Sequence, residues 1–242
     1  MKILAIDTSG LVASVAVVSD GLLIAEYTVN YKITHSQTLL PMLDEIKKMI
    51  ELDLNSIDAV AISNGPGSFT GLRIGVATAK GLGLALDKPI VEVPTVEALA
   101  YNMYGSGLDV VPIMDARREE VYTGIYRFER SGGGRFDYDF IEVMPQSAIP
   151  LKQLIDVINS NGRPVVFTGD ADIVYDKLIT ESINVDYTFA PFTCNRQRAA
   201  AVALLGTKYY NEGKTCSADI CSPEYLRLSQ AERERMEREQ KK

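Results

Sequence analysis

The chain has 242 residues, of which 46% are hydrophobic and 24% charged, and its formal net charge is −7. This length and composition predict a globular protein with one large domain or two small ones. The net negative charge argues against a surface that binds nucleic acid strongly by itself, because such surfaces are usually basic.

The cysteine and histidine content limits which disulfides and metal sites the chain can form. Three cysteines with no Cys-x-x-Cys pair suit reduced thiols better than a disulfide framework. The single histidine, His35, excludes a histidine-rich metal site. No apolar run reaches the roughly 18 residues of a membrane span, and the apolar N-terminal run is too short for a signal peptide. We therefore predict a cytoplasmic protein.

The first part of the chain predicts three strands, at 2–6, 13–19 and 22–29. Asp20-Gly21 between the last two is a strong hairpin signal. A helix over 36–51 follows, and its apolar arc is wider than contact with one sheet face requires. The next predicted strand, at 58–62, leads directly into a glycine-rich segment.

Residues 63–86, SNGPGSFTGLRIGVATAKGLGLAL, contain six glycines. Each glycine inside a helix costs about 1 kcal/mol relative to alanine. Two interpretations explain why the segment has so many glycines despite this cost. One is a phosphate-binding turn at 64–68 before a helix N-terminus, and the other is a helix against which another backbone lies very close. The second explains more, because small residues recur every four positions along the whole predicted helix, at Gly67, Gly71, Gly75, Ala79 and Gly83.

A strand at 90–93 and a helix at 95–102, with Thr95 as the predicted N-cap, complete this half. The pattern then begins again after a glycine joint at 105–107. The interval from Asp7 to Gly65 (58 residues) resembles that from Asp115 to Gly169 (54 residues). This spacing predicts a duplicated α/β unit of the order βββαβα.

We accordingly predict three segments. Residues 1–104 form an N-terminal half, residues 105–228 a smaller C-terminal half, and residues 229–242 a charged tail. The tail is charged on every face and is expected to be solvated.

Asp7-Thr8-Ser9 at a strand end resembles the first phosphate-facing loop of the actin, Hsp70 and sugar-kinase superfamily. The resemblance implies an α/β fold of two duplicated RNase H-like halves, each with a mixed sheet flanked by helices. It also implies a nucleotide cleft between the halves. Asp-Thr-Ser alone is weak support, because such residues commonly end strands in turns.

Four further segments carry a more specific resemblance: IDTS at 6–9, HSQTLLPML at 35–43, the glycine-rich segment, and PEYLRLSQAERE at 223–234. Together they resemble the TsaB family, also called YeaZ, across nearly the whole chain. The resemblance implies a subunit of the bacterial machinery that makes N6-threonylcarbamoyladenosine at adenosine 37 of tRNAs. In that machinery the related subunit TsaD performs the transfer.

TsaD-type relatives carry His-x-x-x-His on the first helix, which places two imidazole ligands one turn apart. Here His35 is followed by Leu39, which has no lone pair to donate. We therefore predict no metal site, and His35 is expected to be an N-terminal helix residue. Without a metal, the sequence offers no set of catalytic residues for a metallopeptidase activity.

The resemblance also implies partners. These are a TsaD-type transferase, a TsaE-type ATPase in the same complex, a second copy of the chain when TsaD is absent, and tRNA indirectly through the complex. The family's contact with TsaD, and its homodimer, use the first two helices packed as a four-helix bundle, here 36–51 and 69–86. Within them we predict the contact residues Leu39, Leu43, Ile46, Phe69, Leu72, Arg73, Gly75, Val76 and Ala79.

Two hypotheses from different classes remain. The first is a non-catalytic scaffold, for which Gly75→Leu or Val76→Arg should abolish TsaD binding in a folded monomer. The second is a nucleotide-dependent phosphotransferase, which is weakened by Pro66, since proline removes an N–H from the phosphate-binding turn. We predict no cofactor, although a weak ATP/ADP site, or one completed at a partner interface, is compatible with either hypothesis. The residues of this vestigial nucleotide loop are Asp7, Thr8, Ser9, Gly65 and Gly67.

Overall fold

The computed structural model describes residues 1–31, 34–134 and 137–227, and the predicted tail at 229–242 lies outside them. Within these ranges, no helix is both long and apolar enough to cross a membrane.

The N-terminal half is a five-stranded mixed sheet in the order β3-β2-β1-β4-β5. The first strand pairs antiparallel with the second and parallel with the fourth. Asp20 and Gly21, both at positive φ, make the predicted tight turn of the β2–β3 hairpin. The elements are β1 Lys2–Asp7, β2 Ala13–Ser19, β3 Leu22–Val29, α1 His35–Met49, β4 Ala59–Gly65, α2 Phe69–Leu86, β5 Ile90–Pro94 and α3 Thr95–Tyr101, with a 3-10 turn at Leu54–Ser56.

The C-terminal half repeats this arrangement. Its sheet has the order β8-β7-β6-β9-β10, which matches the first sheet strand for strand. The prediction of two mixed sheets from a duplicated βββαβα unit is therefore confirmed, and each half also adds one more strand and helix. The elements are β6 Asp109–Asp115, β7 Glu120–Arg130, β8 Tyr138–Pro150, α4 Leu151–Asn161, β9 Val165–Thr168, α5 Ala171–Ser182, β10 Tyr187–Phe189 and α6 Ala199–Asn211.

The helices and sheets form layers. Side chains alternate across each strand, so Leu4 and Ile6 face the core under α1 and α2. Ile3 and Ala5 face the opposite core, which α3 and α6 fill between the two sheets. The third core lies between the second sheet and α4 with α5.

The end of the described chain returns to the first half. Helix α6 packs on the strands of the first sheet, and Arg198 at its start forms an ion pair with Glu26 of β3. Beyond the helix, Cys216 and Ile90 exchange backbone hydrogen bonds of 2.9 Å. Helix α6 and the residues up to Ser222 therefore contact the first sheet, whereas Arg227 forms an ion pair with Glu120 of β7. The predicted boundaries at 104 and 228 stay predictions.

Two smaller expectations were wrong. The N-cap of α3 is Pro94, whereas Thr95 is a buried first-turn residue whose hydroxyl lies 2.7 Å from that of Ser63. Thr95 therefore contacts strand β4 through its hydroxyl and does not cap the helix. Strand β10 was missed because it has only three residues, too few for an alternating pattern.

Candidate functional site: the first two helices and the loop beneath them

Helix α2 begins after a serine N-cap. Ser68 has extended backbone angles, and its hydroxyl accepts a hydrogen bond from the Gly71 N–H at 3.3 Å. The Ser68 N–H donates to the Ser9 carbonyl at 2.7 Å. The helix ends at Asp87 in the left-handed conformation. The start of α2 is thus joined directly to the loop that follows β1.

Gly67, Gly71 and Gly75 face that same loop. A Cβ atom added at Gly67 or Gly71 would lie well under 3.0 Å from the carbonyl oxygen of Ser9 or Thr8, respectively, and one at Gly75 would meet the Thr8 hydroxyl. The predicted close approach of another backbone is therefore found, but that backbone is the chain's own residues 8–9. The Thr8 hydroxyl also donates to the Gly71 carbonyl at 2.8 Å.

The loop after β1 has its polar groups paired inside the protein. Asp7, Thr8 and Ser9 are all buried. The Ser9 N–H and hydroxyl both donate to the same Asp7 carboxylate oxygen, at 2.9 and 2.6 Å. These groups face protein atoms, and a phosphate would have to displace them to reach the Asp-Thr-Ser side chains.

Residues 223–225 cover the other half of the predicted nucleotide loop. Gly65 has φ of 141°, and a Cβ there would collide with the Glu224 carbonyl. The Glu224 N–H donates to the Asn64 carbonyl at 2.7 Å. Tyr225 stacks on Phe69 with ring centroids 4.4 Å apart. The Pro-Glu-Tyr segment carried part of the family resemblance, but its position over this loop had no signal in the sequence.

The Asp7 carboxyl is buried at the end of β1. Burial raises the pKa of the Asp7 carboxyl, while the hydrogen bonds from Ser9 act in the opposite direction. A carboxyl whose pKa is higher in the folded state than in the unfolded state stabilises the fold most at low pH. That contribution is lost as the pH rises from the unfolded pKa through the folded one.

Asp7→Asn is therefore expected to become more stable relative to the native sequence as the pH rises from acid to neutral. Asparagine keeps an acceptor oxygen for Ser9 and has no charge to bury. Urea denaturation of both proteins across this pH range measures the difference, in which the other titrating groups cancel. A difference that stayed constant with pH would contradict the assignment.

His35 is the first residue of α1, as expected for a helix N-terminal residue. Its Nε2 lies 2.9 Å from the Gly10 carbonyl oxygen. Leu39, one turn later, is buried in the core and supplies no ligand atom. In TsaD-type relatives, this position is expected to hold a metal. In this chain, His35 instead connects α1 to the loop after β1.

Most of the predicted contact residues are buried in the core of the monomer. Their part in a partner contact stays a prediction. Phe69 and Arg73 are nearer the surface, but both contact Tyr225. Periodicity defines the faces of a helix but not which face the sheet takes, and the sheet takes the face with the larger buried apolar area. The buried residues are Leu39, Leu43, Ile46, Leu72, Gly75, Val76 and Ala79.

The outward faces of the two helices differ in character. On α1 the exposed residues are mostly polar, although Leu40 and Met49 are 56% and 76% exposed. On α2 the exposed residues after Arg73 carry no charge. They share one side of the helix by their spacing, and they are Ala77, Gly81, Leu84 and Ala85.

Comparisons with known proteins agree with this architecture. The family model described as "TsaD: tRNA N6-adenosine threonylcarbamoyltransferase" matches residues 23–235. The chain is 32% identical to the Bacillus subtilis "tRNA threonylcarbamoyladenosine biosynthesis protein TsaB" over 96% of both chains. It is 31% identical to the Haemophilus influenzae protein of the same name over 94% of both chains.

Solved structures give the same relationship. "YeaZ from Pseudomonas aeruginosa" superimposes with a TM-score of 0.76 at 25% identity, covering 93% of this chain and 99% of that one. A polyphosphate/ATP-glucomannokinase from Arthrobacter sp. strain KM has a TM-score of 0.50 at 11% identity, covering 87% of this chain and 99% of that one, and shows the fold alone. Both of these curated TsaB relatives match along nearly their whole length, and the chain belongs to the TsaB (YeaZ) family.

Proposed function

We propose that this chain is a non-catalytic subunit that supports a TsaD-type transferase in N6-threonylcarbamoyladenosine modification of tRNA. The names of its full-length relatives support the pathway. We further propose that it binds the transferase through the outer faces of α1 and α2, and that it pairs with a second copy of itself through the same faces when the transferase is absent.

The observation that carries this proposal is the outer face of α2. A helix on a protein surface normally shows charged residues to water, yet the last three turns of α2 expose alanine, glycine and leucine. Leu84 is 64% exposed and Ala77 lies two turns before it on the same side. Small exposed residues let a second helix approach closely, and such uncharged faces mark protein contacts.

The buried loop after β1 supports a non-catalytic role. Phosphotransfer needs polar groups that can reach a phosphate, and here Asp7, Thr8 and Ser9 bond to one another and to α2. The glycine turn is likewise covered by residues 223–225. We therefore favour the scaffold over the phosphotransferase, with any ATP or ADP bound weakly or at a partner interface.

The remaining parts of the proposal follow from the family. A TsaE-type ATPase joins the complex, tRNA is contacted through the complex, and the assembly acts in the cytoplasm. Each of these parts can fail without affecting the contact between α2 and the transferase.

The direct test changes exposed residues of α2. Leu84→Arg places a charge where we expect a partner helix, so the affinity for the organism's TsaD-type protein should fall about 100-fold or more, which is the size of an interface hot spot. The matched control is Ile173→Arg on α5, where the isoleucine is 66% exposed in the other half of the molecule. Affinity is measured by calorimetry, and folding by circular dichroism.

The control should bind the transferase as the native chain does. Native affinity in Leu84→Arg, or equal loss in both variants, would refute the proposed contact. Turnover of Mg-ATP by the isolated chain would refute the non-catalytic role.

A further inference from the structure

Three side chains with metal-binding atoms meet at the end of the first sheet. Glu92 lies on β5, whereas Cys216 and Cys221 lie on the segment after α6. The carboxylate oxygen and the two sulfur atoms all lie within 4.8 Å of one another. The backbone bridge between Cys216 and Ile90 aligns this segment with β5.

Hydrogen bonds to α2 and to Glu92 also hold the segment of residues 216–222 in place. The Lys80 ammonium of α2 donates to the carbonyl oxygens of Asp219 and Cys221, at 2.8 and 3.0 Å. The Ser222 N–H donates to a Glu92 carboxylate oxygen at 2.9 Å. A Cβ added at Gly83 would also collide with the Ala218 side chain. The three potential ligands are therefore positioned by β5 and α2, and do not belong to a freely moving loop.

The local electrostatics favour a cation. The Glu92 carboxylate lies within 4.8 Å of both sulfur atoms, so it would repel two thiolates and attract a cation. A bound divalent metal offsets this repulsion and holds both sulfurs as thiolates.

The charges also balance. Two thiolates and one carboxylate carry three negative charges, which a divalent ion reduces to one. The Lys80 ammonium, already bonded to the Cys221 carbonyl, offsets the remaining charge. A partly buried site can hold such a cluster because its net charge is near zero.

We propose that Glu92, Cys216 and Cys221 form a binding site for a thiophilic divalent cation, with Zn²⁺ the best fit. The two cysteines are separated by four residues, within the usual spacing of zinc ligand pairs. Tetrahedral zinc with Zn–S bonds of about 2.3 Å places two sulfurs roughly 3.8 Å apart, so small side-chain rotations complete the site. The fourth position is taken by water or by a residue of a partner.

The experiment uses the full chain, purified reduced and treated with chelator. Co²⁺ is added as a spectroscopic probe, and Zn²⁺ is then titrated in competition. We expect one Co²⁺ per chain, with a thiolate-to-cobalt charge-transfer band that one equivalent of Zn²⁺ abolishes. Binding should release protons at neutral pH, because cysteine binds a metal as the thiolate.

Cys216→Ser and Glu92→Gln should each weaken Zn²⁺ binding by more than the roughly 10–100-fold that follows loss of an outer-shell partner. Cys194→Ser is the matched control, since Cys194 lies outside the cluster, and it should bind Zn²⁺ normally. Circular dichroism confirms that each variant is folded, and the Glu92→Gln variant leaves both thiols in place.

The proposal is overturned if no charge-transfer band forms at one equivalent of Co²⁺. It is also overturned if Glu92→Gln binds Zn²⁺ as tightly as the native chain, or if Cys194→Ser loses binding as the cluster variants do. None of these measurements uses the transferase, so their failure is independent of the proposed function.

Discussion

Gly71→Ala is expected to destabilise the protein by about 3 kcal/mol, the upper end of the usual cost of overpacking. The added methyl group would lie well under 3.0 Å from the Thr8 carbonyl oxygen. That oxygen belongs to the backbone at the end of β1, which the sheet holds in place, so neither side can move away cheaply. Urea denaturation followed by circular dichroism measures the loss.

Gly81→Ala, on the same helix, is the matched control. Apart from its chain neighbours and the nearby backbone of α2, no atom of the described residues lies within 4 Å of a Cβ there. The substitution should therefore stabilise α2 by about 1 kcal/mol through helix propensity. The two variants make the same chemical change and should differ in sign. A stabilised Gly71→Ala protein would mean that α2 does not lie against residues 8–9.

This packing also changes the expectation for the two variants first proposed for the partner contact. Gly75 faces the Thr8 side chain, and Val76 lies in the core under the first sheet. Gly75→Leu or Val76→Arg would therefore damage the fold itself, and loss of partner binding in either would not locate an interface. Leu84→Arg avoids this problem because its side chain is already in water.

Asp109→Ala is expected to cost about 3–5 kcal/mol, the usual effect of removing one partner from a buried ion pair. Asp109 is 1% exposed at the start of β6. Its two carboxylate oxygens accept hydrogen bonds from Arg127 Nε and an Arg127 terminal nitrogen, at 2.7 and 2.9 Å. Arg163 adds a third at 3.3 Å. Without the carboxylate, the Arg127 guanidinium is left partly buried beside an unpaired Arg163.

The control for this prediction is Asp44→Ala on α1, which removes an exposed i,i+4 pair with Lys48. Such pairs contribute about 0.5 kcal/mol or less. Denaturation midpoints of the two variants, measured side by side, separate the buried pair from the exposed one. Equal small losses would show that the Asp109 cluster is hydrated and adds little to stability.

The sequence by itself determined the two-sheet duplication and the order of the elements other than β10. Strands β2 and β3 and helix α2 were predicted with the residue limits that the structure has. These features depend on local signals: alternating or helical periodicity, a hairpin turn at Asp20-Gly21, and motifs shared with a family. Each signal involves neighbours within a few residues, so it can be read along the chain.

Only the tertiary structure decided which residues of those elements are available for function. Leu39 and Leu72 lie in the core, whereas Leu40 and Leu84 face water, a choice made by where the sheet lies. The stripe of small residues predicted a close backbone, and at Gly67 and Gly71 that backbone is the chain's own residues 8–9.

Only the tertiary structure also decided which residues far apart in sequence contact each other. Tyr225 on Phe69, the Asp109 ion pairs, and Glu92 beside Cys216 each join distant segments. The Cys-x4-Cys spacing was visible in the sequence, but nothing local indicated its third partner. Contacts of this kind form because strand pairing and layer packing bring distant segments together, and a single sequence carries no local signal for that.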